Sequence, residues 1–193
     1  MTWLPITILA YFFLAIAVFG DKYLLTGGVS NPKVYSFYVG ILSIFVLALI
    51  PFGFFLPSPA QIVLALSAGI IFIIALFVYY SVVKNFEVSR IAPAVGGLTP
   101  IFVFLITYFF SQERTFLSSK EIFAFLLLIF GSVLIVVEKG KNIFGKSFLL
   151  SSVAGFCFAL YFVLAKFVYL PLGFINGLIW IRIGSFVAGD MII

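Results

Sequence analysis

The chain reads as an all-α polytopic membrane protein: a five-helix unit followed by the first two helices of a second, inverted copy. Three observations lead there. Of its 193 residues, 65% are hydrophobic and 9% charged, a balance foreign to soluble domains. Asp, Glu, Lys and Arg are absent from Met1 to Gly20, Val34 to Val83, Ile91 to Gln112, Ile122 to Val137 and Ser147 to Ala165, runs near or above the roughly 20 apolar residues a span requires. Finally, the start of the chain aligns on its later part without gaps at an offset of 144, pairing Ala10 with Ala154, Phe12 with Phe156, Ala15 with Ala159, Lys22 with Lys166 and Gly40 with Gly184. Five spans separate the two starts, so the copies enter the membrane in opposite directions, as in inverted-repeat transporters.

Segment one covers about residues 4–25 and is retained, because it lacks a basic leader and a small-residue cleavage pattern. Asp21 and Lys22 mark its far end. After Thr26-Gly27-Gly28 the chain restarts at Asn31-Pro32-Lys33, with Pro suited to a first helical turn. Segment two, about 34–50, ends in Pro51-Phe52-Gly53-Phe54-Phe55-Leu56-Pro57-Ser58-Pro59, which cannot continue a helix. Segment three, about 60–83, carries Ala65 and Gly69 on one face for close helix contact. Lys84, Glu87 and Arg90 mark an interface.

Segments four and five form a hairpin from Ser89 to Lys139, turning at Ser111-Gln112-Glu113-Arg114. Its first helix begins with Ala92, Pro93, Ala94, Gly96, Gly97 and Pro100, and Gly and Pro loosen a helix at membrane depth only where protein or a cavity satisfies the freed backbone. Glu138, Lys139, Lys141 and Lys146 form the longest polar connection. Segment six, about 147–169, spaces Ser151, Gly155 and Ala159 at four residues, and Pro171 and Gly173 break it. Segment seven starts near Phe174 and is still apolar at Ile193, as though a helix were cut there. The expected division is a first unit at 1–144 and the start of a second at 145–193.

The hairpin resembles the EamA domain of the drug/metabolite transporter superfamily in its Ala-rich, Gly/Pro-interrupted start, Pro100 with its apolar run, Glu113-Arg114, and Gly131 late in the fifth helix. The resemblance implies a ten-helix, five-plus-five permease or exporter of small organic solutes in the cell membrane, with helices one to four of each repeat around a central cavity. It also implies a cytoplasmic amino terminus. The basic residues point the other way: Lys22, Lys33, Lys84, Arg90, Lys139, Lys141 and Lys146 lie opposite the amino terminus, against Arg114, Lys120 and Lys166 beside it.

Arg182 is the foremost candidate for substrate binding or gating, because a cation about eight residues into a span costs about 2.5–3.5 kcal/mol on insertion scales. Asp190 lies about two turns on and is either its structural partner or a second site residue. Lys22 and Lys166 hold equivalent places in the repeat and are candidates for a cavity role or for snorkelling to the interface. Asp21 is read chiefly as the interfacial partner of Lys22. Tyr11 and Tyr38 are candidate cavity-lining residues, and Gly96, Gly97 and Pro100 are assigned to helix flexing or close packing.

With no histidine and one cysteine, Cys157, the chain has no imidazole-containing metal site and no internal disulfide; no cofactor is expected. The net charge of +5 sits at the ends of apolar runs and marks topology, not a nucleic-acid partner. Expected partners are a small-molecule solute and membrane lipids. Six acids without histidine argue against an enzyme such as a membrane transferase. The remaining alternative is a non-transporting assembly subunit, in which a homodimer would complete the paired repeat.

Overall fold

The helix boundaries follow from local chemistry. The computed structural model describes residues 3–110, 119–136 and 146–192. Helix α1 (Trp3–Thr26) ends as Gly27 and Gly28 close back on the Tyr23 and Leu24 carbonyls. Asn31 caps α2 (Pro32–Leu42), its Oδ1 accepting from Lys33 N at 3.0 Å, with Pro32 in the first turn. Helix α3 (Pro59–Asn85) starts where the Ser58 N–H donates to Gln61 Oε1 at 3.0 Å. Helix α4 (Val88–Phe110) keeps Pro93 and Pro100 within its length. Helix α5 spans Ser119–Val136 and α6 spans Lys146–Met191. No strand occurs among the described residues.

The second span differs from the continuous α-helix expected. From Ser43 to Phe52 it winds as a 3₁₀ helix, ended by Gly53 at φ 140°, a conformation that favours glycine. Ten residues are a long 3₁₀ run, since eclipsed side chains and poorer hydrogen bonds usually limit it to three or four. The tighter winding lengthens the span: 11 α residues at about 1.5 Å and 10 at about 2.0 Å give about 36 Å, enough for a bilayer core of about 30 Å.

Among the described residues, five helices are long and apolar enough to cross a membrane: 4–26, 32–52, 59–85, 88–109 and 146–191. The chain is thus an α-helical membrane protein by length and composition. An unbroken helix over the last of these, 46 residues, would run about 70 Å, more than twice the hydrocarbon core. It is not unbroken. Gly173 takes φ 69°, ψ 173°, two residues after Pro171, and the chain folds back there. The Tyr169 and Phe174 rings stack at 5.7 Å, and a Cβ on Gly177 would lie 2.7 Å from the Tyr169 ring. The two arms, 146–172 and 174–191, are therefore separate helices packed back on each other, with the break where Pro171 and Gly173 foretell it.

The later arm packs between α2 and α3 through small residues. Gly40 of α2 meets Gly189, and Gly69 of α3 meets the backbone from Ile181 to Ser185. Leu66 lies on Gly184. The earlier arm runs antiparallel to α3, with Phe72 on Tyr161 at 4.9 Å and Tyr79 on Phe158 at 6.0 Å. It also packs on α4, where Gly155 faces Leu98 and Thr99 and Phe102 meets Phe156 edge-on. Helix α5 rests on α4 through Phe104 and Phe125. Helix α1 joins the core through its last turns, with Leu25 buried and Val18 packed beside it, while its apolar side chains from Leu4 to Phe19 are largely exposed.

Candidate functional site

Arg182 sits midway along the arm 174–191, and the element facing it is the α2–3₁₀ span. Between them lies an open cavity of about 360 Å³, lined by Val39, Leu42, Ser43, Val46, Leu178 and Arg182. The guanidinium rests on the Phe72 ring of α3, 4.7 Å from the centroid, a cation–π contact. Among the described residues it makes no hydrogen bond or ion pair; its electrostatic neighbours are the tyrosines Tyr80, Tyr161 and Tyr169. Ser43 spends its own proton on the Val39 carbonyl at 2.9 Å. Among the described residues, Arg182 is the one charged group of the lining.

Asp190 is exposed and forms no ion pair with Arg182, so the structural pairing expected from their two-turn spacing does not form. Spacing along a helix gives a shared face, but eight residues put about 12 Å between the two Cα atoms, too far for direct contact. Lys166 is exposed. Tyr11 is 66% exposed and Tyr38 50% exposed, and neither lines the cavity. Gly96 and Pro100 are exposed on α4, Gly97 is half-buried, and a Cβ on Gly96 would meet nothing within 4 Å. Close backbone approach falls instead on Gly40, Gly69, Gly184 and Gly189. Glu113 and Arg114 lie outside the described residues.

Asp21 and Lys22 do not pair, contrary to expectation, because neighbours on a helix project about 100° apart. The Tyr35 hydroxyl donates to Asp21 Oδ1 at 2.6 Å, joining α1 to α2, and the Tyr35 ring meets Tyr80 edge-on at 4.7 Å. Lys22 Nζ donates to the carbonyls of Val83 at 2.7 Å, Lys84 at 3.2 Å and Phe86 at 3.0 Å. These are the orphan carbonyls at the end of α3, where the helix dipole also favours a cation. All three donors of the ammonium are therefore engaged. Replacing Lys22 with Met keeps the apolar stem and removes the cap; the expected loss is about 1–2 kcal/mol, read as a lower thermal midpoint in detergent. An unchanged midpoint would show the cap to be idle.

The cap carries no local signal in the sequence, since it joins residues about sixty positions apart. Nor do the buried groups without a hydrogen-bond partner among the described residues: Ser36 Oγ, Ser151 Oγ, Asn176 Nδ2 and Trp180 Nε1. Asn176 is 2% exposed and its Oδ1 accepts from Phe55 N at 3.3 Å, tying the later arm to the turn after the 3₁₀ helix. Trp180 stacks on Phe54 of that same turn at 5.9 Å. Among the described residues no three His, Cys, Asp or Glu side chains converge on a metal-sized site. No family model, no curated protein and no solved structure matches the chain.

Proposed function

We propose that this chain is an EamA-type secondary transporter of the cell membrane, moving small organic solutes by alternating access through the cavity between the α2–3₁₀ span and the arm 174–191. The observation that carries this is Arg182: a cation on an apolar span, facing a cavity, with no carboxylate partner among the described residues. A charge that expensive in a membrane marks a pathway or ligand site more often than a structural one.

Two further features favour a moving cavity wall. The wall opposite Arg182 changes from α to 3₁₀ winding at Ser43, and mid-helix 3₁₀ stretches often mark hinges. Glycine contacts then let the facing helices slide with little side-chain interlocking. Gly40 and Gly184, equivalent in the 144-residue offset, both lie at such contacts, in keeping with paired repeats whose binding site lies where the two meet. Chemistry is then a matter of differential affinity between two states, with no covalent step.

The test is exchange transport. Protein reconstituted into liposomes preloaded with a metabolite mixture is expected to take up labelled members of that mixture against empty-liposome controls. Flux equal to the controls across the mixture would sink the transporter reading and favour an assembly role.

A further inference from the structure

We infer that the cavity beside Arg182 binds small organic monoanions, a carboxylate or comparable group on a compact apolar body. This deepens the transporter reading and rests on it for the physiological role, although the binding itself does not require transport.

The geometry of the guanidinium points to an anion. Its Cζ lies over the Phe72 ring, 4.7 Å from the centroid, a contact that supplies no hydrogen-bond acceptor in the ring plane, and guanidinium N–H groups are the donors that meet a carboxylate side-on. None of the five donors is bonded among the described residues. The cation–π contact therefore holds the head group in place without giving its N–H groups a conventional acceptor. Asp190 is exposed and forms no ion pair among the described residues, so no described acid pairs with the guanidinium.

The rest of the lining defines the body of the ligand. Val39, Leu42, Val46 and Leu178 are apolar, and Ser43 has already donated its proton to the Val39 carbonyl of α2. A ligand rich in hydroxyls or amides would lose its hydrogen bonds to water without replacement. A second negative charge would find no second cation in the lining. At about 360 Å³ the cavity has room for a compact monoanion, and because it is open it holds the charged group at Arg182 without enclosing the whole ligand.

Benzoate and its neutral isostere benzamide are suitable probes, titrated against the full chain in phosphatidylcholine nanodiscs. Benzoate is expected to bind saturably and at least tenfold more tightly than benzamide. Arg182→Gln is expected to remove that preference and Arg182→Lys to restore part of it. Should Arg182→Gln fail to fold, Val46→Trp fills the cavity with the cation intact and is expected to lower benzoate affinity by tenfold or more. Equal binding of benzamide, no saturable binding of benzoate, or undiminished benzoate affinity in Arg182→Gln would each overturn the inference. Loss of benzoate binding when phosphatidylglycerol is added would assign the site to a lipid headgroup and overturn the solute.

Labelled-benzoate counterflow in liposomes separates the two proposals. Binding without flux upholds the anion site and removes the transporter. Flux of an uncharged solute that Arg182→Gln leaves unchanged upholds the transporter and removes the anion site.

Discussion

Gly69→Val is expected to yield no stable folded protein. A Cβ at this position would overlap the Ile181 carbonyl oxygen and lie 2.6 Å from Ser185 N and 2.8 Å from Gly184 C. All three are backbone atoms, so no rotamer change relieves the clash; α3 and the arm 174–191 must separate. Separation would also break the 3.3 Å bond from Ser185 Oγ to the Gly69 carbonyl and lift Phe72 from Arg182. Overpacking a core with one extra side chain typically costs about 1–3 kcal/mol, and a collision with rigid backbone should reach or exceed the upper figure. Gly184→Val should behave alike, because its Cβ would lie 2.7 Å from Leu66 Cα. The contrast is Gly96→Ala, whose Cβ meets open space and whose helix should gain up to about 1 kcal/mol from the better propensity. Monodispersity and thermal midpoint in detergent read all three. A Gly69→Val protein with the parental midpoint would show that the seam is not closed.

Arg182→Ala is expected to abolish transport while leaving insertion and folding intact. Removing the side chain takes a cation out of an apolar span, which lowers the cost of insertion by about 2.5–3.5 kcal/mol on insertion scales. Against that stands the loss of the contact with Phe72, of order 1 kcal/mol. Stability should therefore hold or rise, and any loss of flux reflects the site. Normal exchange by this variant would return Arg182 to a structural role.

Much of the architecture was legible in the chain. Charge-free runs near 20 residues, the Pro51–Pro59 break and the Pro171/Gly173 break each act within a few residues, and each placed a helix or an ending. The small-residue faces of segments three and six were legible from four-residue spacing, and Ala65, Gly69, Gly155 and Ala159 all lie at interhelical contacts or are buried. Arg182 stood out through its cost alone. Its neighbours did not: Val39, Ser43 and Val46 are ordinary residues of an apolar span, and only the apposition of α2 with the later arm makes them a cavity wall.

Sequence by itself thus determined where helices run and end, because run length against bilayer thickness and the backbone limits of Pro and Gly are local quantities. Tertiary structure decided what each marked residue does. Gly69 and Gly96 carry the same signal, yet one is pressed against another backbone and the other faces open space. Lys22 looked like the partner of Asp21, yet it closes the end of α3, while Asp21 takes the Tyr35 hydroxyl. The reason is that periodicity shows which residues share a face and says nothing of which helix that face meets. That choice follows from how well whole surfaces pack, and it is the packing of α2, α3 and the later arm that sets Arg182 beside a cavity.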